Sequence, residues 1–502
     1  MLTSKKLNTI SPAITHQKMR TGMRCAKIYT AILSGLLLCI SPISSATSSV
    51  NFTPKPYSLI EHNAERTLQN NLQQETFKSV TPPPKTTTSS FLKSIRSAVA
   101  ARWQSSQLHT LVNALIQQPE IKIEYAEPGN SIKPFIAQTL SYDNNLLRRA
   151  DTASNGLAER SKSDFIKQIR AGIAAKWTIN RQVLLVNAII SQNWYSTYHE
   201  LDYLGRDVLA QWNWKVGKNV AGEMGYINKS SRGNFSQLNN LVNNLQTENT
   251  YFANAAYQFS PGWFIRGSTS RQNLQYSSDN LLQTNNLRET TNEIGLKYVS
   301  PNNTMLGISA TRTNGRFPQR ILTENTDNAY TRTDFNLQGE WNYSIKTRLD
   351  GKLGYTQQKF AHLPQRNFSA PTARANLNWE ITGKTALLLS AWREVGFVNN
   401  LDANFVLNQG VKIKPTWRAT PKLDISTPLS YEQQDYLGDP GFISTSGNAG
   451  RDKITTVGLN ADYTLFENTK MSLFMQFENR TSTALARNYQ SKMVGLDMQV
   501  GF

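Results

Sequence analysis

From about residue 132 to the C-terminus, apolar and polar residues alternate with a period of two. That is the pattern of a sheet whose two faces meet different surroundings. Phe335-Asn-Leu-Gln-Gly-Glu-Trp341-Asn-Tyr343 shows it most clearly. Val208-Leu-Ala-Gln-Trp212-Asn-Trp214-Lys-Val216, Ala373-Arg-Ala-Asn-Leu377-Asn-Trp379-Glu, Val411-Lys-Ile413-Lys and Val457-Gly-Leu459-Asn-Ala461-Asp-Tyr463 repeat it. Tight-turn signals punctuate the alternation at Thr178-Ile-Asn180, Gly217-Lys218, Ser260-Pro-Gly262, Ser300-Pro-Asn-Asn303, Ser344-Ile-Lys346, Thr382-Gly-Lys384, Thr420-Pro-Lys422 and Glu467-Asn-Thr469. Longer polar stretches lie between them, such as Arg148–Ser163, Ser231–Glu248, Tyr276–Asn286, Gly315–Asn328 and Leu437–Asp452.

The turns recur roughly every 40 residues, which could be a propeller blade, but each period holds only two long strands, one tight turn and one long loop. That is the hairpin unit of an antiparallel transmembrane β-barrel with short turns at its periplasmic end and long loops outside. Eight such pairs, a first strand near Ile132–Asn144 and a last one at Lys492–Phe502 predict about 18 strands, within a range of 16–18. An even number places both barrel ends on the periplasmic side. Aromatic residues cluster beside the short turns on the apolar face: Trp177, Trp214, Phe259, Trp263, Tyr343, Trp379, Trp417 and Tyr463. Amphipathic rings favour the membrane–water boundary, so this set reads as a girdle. The last strand, Val494-Gly-Leu496-Asp-Met498-Gln-Val500-Gly-Phe502, keeps its apolar face to the final residue. It reads as an assembly signal, recognised by the outer-membrane assembly machinery through strand addition, with Phe502 as the terminal aromatic.

Upstream of the barrel the pattern changes. Ile28–Ile40 is the only unbroken apolar run. It is preceded by Lys5, Lys6, Lys18, Arg20, Arg24 and Lys27 and followed by Ser44-Ser45-Ala46. It is too short to span a bilayer and reads as a signal peptide over residues 1–46. Both cysteines, Cys25 and Cys39, fall inside it, so thiol catalysis, disulfides and cysteine–metal sites drop out of the mature chain. Residues 47–126 read as an extension: a linker with Pro82-Pro-Pro84 and Thr86-Thr-Thr88, then Ser89–Gln118, which resembles Ser163–Gln192 at an offset of 74. Phe91/Phe165, Ile95-Arg96/Ile169-Arg170, Trp103/Trp177 and Leu111-Val-Asn-Ala114/Leu185-Val-Asn-Ala188 coincide. Strand parity argues against a place for this copy in the wall. It reads as a periplasmic or lumenal element, irregular or partly helical near Ser94–Gln118. The barrel itself is expected over 127–502.

Composition narrows the function classes. The whole chain carries 54 Lys+Arg against 35 Asp+Glu, a net charge of +19, and losing the six cations of the signal leaves +13. No Lys/Arg cluster resembles a nucleic-acid face, and none is expected as a partner. Parity anchored on the girdle assigns Arg170, Lys176, Lys215, Arg266, Lys297, Arg348, Lys352, Arg374, Lys412 and Lys414 to the lumen as candidate anion-binding cations. It places Glu223, Glu293, Glu340, Asp350, Glu380, Asp424, Asp462 and Asp497 there as acids. Such a lining suits a hydrated pore that biases which ions or polymers enter. Phe264 is the best inward aromatic. His16, His62, His109, His199 and His362 are scattered without metal-ligand spacing, and no Gly-x-Ser-x-Gly elbow occurs. No catalytic residue, metal or cofactor is expected. His199 beside Glu200 and Asp202 is the one constellation a barrel-borne hydrolase would use.

Gly129-Asn-Ser-Ile-Lys-Pro-Phe-Ile, Leu140-Ser-Tyr-Asp-Asn-Asn-Leu-Leu-Arg148, Arg366-Asn-Phe-Ser-Ala-Pro-Thr-Ala-Arg-Ala-Asn-Leu-Asn-Trp379 with Thr382-Gly-Lys384, and Tyr436-Leu-Gly-Asp-Pro-Gly-Phe442 resemble the EpsL-type outer-membrane barrels of exopolysaccharide biosynthesis loci. The resemblance implies a non-enzymatic barrel in the Gram-negative outer membrane, serving production or export of an extracellular polysaccharide. Its implied partners are outer-membrane lipid, an anionic exopolysaccharide and periplasmic export proteins. The alternative is a general or substrate-specific diffusion porin, and the third reading is the hydrolase.

Overall fold

The computed structural model describes residues 130–150, 161–232, 244–277, 284–324, 326–396, 405–437, 450–483 and 487–502. The expected signal peptide, the expected 47–126 extension and the first copy of the duplication lie outside them. Alternation becomes strand throughout: β1 (Ser131–Asp143), β2 (Asp164–Ile179), β3 (Gln182–Tyr195), β4 (Tyr203–Val216), β5 (Val220–Arg232), β6 (Leu245–Ser260), β7 (Trp263–Tyr276), β8 (Leu287–Val299), β9 (Met305–Arg316) and β10 (Ala329–Ser344). There follow β11 (Thr347–Phe360), β12 (Phe368–Glu380), β13 (Thr385–Gly396), β14 (Phe405–Thr420), β15 (Leu423–Ser426), β16 (Leu429–Leu437), β17 (Arg451–Phe466), β18 (Thr469–Ser482) and β19 (Tyr489–Gly501). The second copy of the duplication forms the β2–β3 hairpin.

Apart from β15 and β16, which do not pair with each other, each strand pairs antiparallel with its neighbours in sequence, and β1 closes the sheet against β19 from Phe135↔Gly501 to Asp143↔Met493. β15 and β16 are two halves of one stave, since both pair β14 on one side and β17 on the other. The barrel therefore has 18 staves, as the turn count predicts. The broken stave has a local cause. Pro428 brings no N–H to the ladder, and its carbonyl instead accepts from the Gly458 N–H at 2.8 Å.

Closure satisfies every stave's backbone within the sheet, the condition for extended chain to cross hydrocarbon. The faces divide accordingly. On β18 and β19, Met471, Leu473, Met475, Val494, Leu496 and Met498 stand side by side on the outside, each 37–46% exposed. A contiguous apolar surface of this kind is untenable in water but ordinary against lipid. At one end the connections are tight, with left-handed residues where they turn: Asn180 (φ 56°), Gly217 (φ 61°), Gly262 (φ 79°) and Asn303 (φ 57°). At the other end the connections are longer. They include two 3₁₀ turns, His199–Leu201 and Pro364–Arg366.

Candidate functional site: the barrel lumen

The pairing registers fix which side chains share a face. Arg170 lies opposite Ser191, Lys176 opposite Leu185, Lys215 opposite Ala221, and Arg266 opposite Ala256. Lys297 lies opposite Phe264, Arg348 opposite Asn378, Lys352 opposite Arg374, and Lys412 and Lys414 opposite Ser390 and Leu388. All of these positions alternate with the outward apolar residues and belong to the inner face. So do Glu223, Glu293, Glu340, Asp350, Glu380, Asp424, Asp462 and Asp497. Trp177, Trp214, Trp263, Tyr343, Trp379, Trp417 and Tyr463 fall on the opposite, outward face near the tight turns. There Trp263 packs on Tyr298 with ring centroids 5.0 Å apart.

The inner face is an ion-pair lattice. Arg374 grips Glu394 with both arms of its fork, Nε to Oε1 and Nη2 to Oε2 at 2.7 Å each, the bidentate geometry that makes arginine a carboxylate receptor. Arg348 meets Glu340 at 3.2 Å, Arg418 meets Glu380 at 3.1 Å, and Arg266 meets Glu293 at 3.8 Å. Arg170 meets Asp497, which also accepts from the Thr139 hydroxyl at 2.5 Å. Glu223 is held by the amides of Gln211 (2.9 Å) and Asn254 (2.7 Å).

The charges are sorted around the wall. On β11–β14 the inner face carries Arg348, Lys352, Arg374, Lys412, Lys414 and Arg418 against Asp350, Glu380 and Glu394. On β15–β19 it carries Asp424, Glu432, Asp452, Asp462, Glu478 and Asp497 against Lys470 and Arg480. One sector is therefore net basic and the next net acidic. The inner face thus presents a lateral field rather than a uniform potential.

The inner face also holds aromatic residues beyond Phe264. Phe135, Phe252, Tyr330, Trp392 and Phe474 each lie over a glycine on the adjacent strand: Gly172, Gly225, Gly315, Gly410 and Gly495. The glycine leaves room for the ring to lie along the wall instead of projecting across the lumen. The readable signal is a glycine at an inward position facing an inward aromatic, and it needs the strand pairing before it can be seen.

At the long-loop end, Arg148 (φ 54°) folds back into the mouth. Its Nη1 donates to both carboxylate oxygens of Asp143 (2.9 and 2.8 Å), and its Nε lies 3.5 Å from Glu478, which accepts from the Tyr489 hydroxyl at 2.7 Å. Arg480 pairs with Asp452 beside it. This cluster ties the first loop to the closing seam. His199 sits on its 3₁₀ turn, while Asp202 accepts the Tyr195 backbone N–H at 2.7 Å and Leu201 is fully buried. The histidine–acid constellation thus shapes a loop. Among the described residues no group of His, Cys, Asp or Glu could hold a metal ion.

Residues 340–502 match the family model described as "Putative beta-barrel porin 2". Solved structures with a similar arrangement include OpdK of Pseudomonas aeruginosa with vanillate, 11% identical, covering 74% of this chain and 99% of that one at a TM-score of 0.44. Another is OccK2 (OpdF) of the same organism in complex with glucuronate, 10% identical, covering 74% and 98% at 0.44. OpdQ of the same organism is 9% identical, covering 74% and 97% at 0.41. No curated protein matches the chain. The chain is thus a closed 18-stave antiparallel β-barrel with an apolar outer face, and its C-terminal third is similar to that family of putative porins.

Proposed function

We propose that the chain is a hydrated diffusion channel of the outer membrane whose basic wall sector favours small anionic solutes, carboxylates above all. The carrying observation is the pair Arg348 and Arg374. Their side chains stay 44% and 37% exposed to the lumen while engaged with Glu340 and Glu394. Each guanidinium has five donors and spends only part of them on its partner, so a passing carboxylate can share the fork. Lys352 faces Arg374 across the strand pair and is exposed beside it. In this reading the tight-turn end and both barrel ends face the periplasm.

The test is swelling of liposomes that contain the purified barrel. Small mono- and dicarboxylates are expected to enter faster than amines of similar size, and Lys352→Glu with Arg374→Glu is expected to reverse the order. Equal rates for both solute classes in the parent would contradict the anionic preference.

The second reading, a role in exopolysaccharide export, is supported by the resemblance that β1, the first loop and β12 carry. It predicts that a deletion strain loses secreted polymer and accumulates it in the periplasm. Unchanged secretion would count against it.

A further inference from the structure

The outer surface of β7–β11 is charged at one end only. From the tight turns to mid-wall its outward residues are aromatic, aliphatic or small: Trp263 and Ile265, Tyr298 and Ile294, Leu306 and Ile308, Trp341 and Phe335, Leu349 and Leu353. Toward the long loops the same faces carry Arg271, Arg288, Arg312, Arg316 and Lys359, all exposed and with no acid among them. Among the described residues no carboxylate lies within ion-pair distance of these five. Arg288 and Arg316 are direct cross-strand partners, an arrangement that is destabilising unless an anion lies over it.

Two further observations mark where an anion would sit. A cleft of about 470 Å³ opens on this surface, with Arg312 and Lys359 at opposite corners and Asn314, Thr331, Thr333 and Gln357 between them. The registers Arg312↔Thr333↔Gln357 and Asn314↔Thr331↔Lys359 set these six residues in two parallel rows. Directly below, Phe335, Leu337, Leu353 and Ile308 are 44–59% exposed. Height agrees as well. Six residues separate Leu306, opposite Tyr298 in the girdle, from Arg312, and ten separate Tyr298 from Arg288, so these cations span roughly 15–25 Å along the barrel axis at the usual strand rise and tilt, the upper part of an apolar band about 25 Å tall, where a long side chain reaches up to the headgroups.

We propose that the β9–β11 cleft is a docking site for the phosphorylated sugar headgroup of an outer-leaflet glycolipid. Arg312 and Lys359 grip the phosphate, assisted by the Arg288/Arg316 pair, the amides and hydroxyls between them bond the sugar, and the acyl chains lie on the aliphatic surface below. The site does not depend on what the lumen conducts. It assigns the long-loop end to the outer leaflet.

The full chain in non-ionic detergent with chelator tests this by native mass spectrometry and thermal unfolding. The probes are a bisphosphorylated lipid A, its dephosphorylated counterpart and inorganic phosphate. The parent is expected to retain the phosphorylated lipid and to unfold at higher temperature with it. Arg312→Gln with Lys359→Gln is expected to weaken binding roughly tenfold or more, Arg312→Lys to keep most of it, and Lys218→Gln in a tight turn at the other end to change nothing. Arg288→Gln separates this site from a purely structural role: without lipid its stability is expected to equal or exceed the parent's, while the lipid-induced gain shrinks. Equal binding of the dephosphorylated lipid, displacement by inorganic phosphate at matched concentration, undiminished binding by the folded double variant, or a second copy of the chain seated there instead of lipid would each overturn the proposal.

Discussion

Trp392 on β13 faces Gly410 on β14 so closely that a Cβ at Gly410 would fall 2.5 Å from the ring's Cζ2. Phe252 and Gly225 on β6 and β5 stand in the same relation at 2.6 Å. Aromatic rings inside the barrel are thus laid along the wall by glycines of the neighbouring strand.

Gly410→Val is therefore expected to push the Trp392 ring toward the lumen and to destabilise the barrel by about 1–3 kcal/mol, the usual range for overpacking. Thermal unfolding in detergent reads the loss, and tryptophan quenching by an aqueous solute reads the displaced ring. A variant with unchanged stability and quenching would contradict the packing.

Arg374→Gln removes the bidentate partner of Glu394 and leaves that carboxylate to the lumen. The expected result is lower anion preference with the fold intact. The double variant Arg374→Gln with Glu394→Gln is expected to recover part of it, because the uncompensated acid has gone. A reversal potential measured for the three proteins checks the order.

The pH response belongs to the long-loop end. Burial alone would raise the pKa of Asp327. Hydrogen bonds from the His362 backbone and ring and from the Ala329 and Leu363 backbone N–H groups outweigh it and hold the carboxyl below the ordinary aspartate value. A depressed folded-state pKa contributes stability that is present above the unfolded value, about 3.9, and lost as pH falls through the lower folded value. Amide protection at His362 and Leu363 is accordingly expected to hold at pH 5 and to fade well below pH 4. In Asp327→Asn it is expected to be weak at both. Hydrogen exchange at the two pH values reads this directly.

The 18 staves and the identity of each face are legible in the sequence because an apolar outer face and a polar inner face impose a period of two, and because Asn, Gly or Pro marks every tight turn except Ser344-Ile-Lys346. Lys412 and Lys414 can be assigned to one face from Val411 and Ile413 alone. Partners are another matter. Arg170 and Asp497 are 327 residues apart, and their meeting depends on closure of β1 between β2 and β19. The Trp392–Gly410 contact depends on register in the same way, so a count of inward aromatics that starts from Phe264 comes out short. The outward arginines of β8 and β9 follow from parity too, but their facing positions do not. The break between β15 and β16 has a visible cause in Pro428.

Phe502 projects outward, 74% exposed, while its backbone N–H bonds the Pro134 carbonyl at 2.9 Å. Its side chain contributes little to the closed barrel, whereas its backbone joins the seam. Phe502→Ala is expected to leave the stability of refolded protein within about 0.5 kcal/mol, the usual scale for surface changes, while lowering the amount assembled in cells several-fold. Heat-modifiable mobility of membrane fractions compared with refolded protein separates the two effects. An equal loss in both would point to a structural role instead.

Single-channel recording across a planar bilayer in a salt gradient tests the central claim most directly. A hydrated lumen with a basic sector on β11–β14 is expected to conduct as an open pore with a reversal potential on the anion side, shifted to the cation side in Lys352→Glu with Arg374→Glu. A correctly folded barrel that passes no current, or a parent channel already selective for cations, would contradict the account.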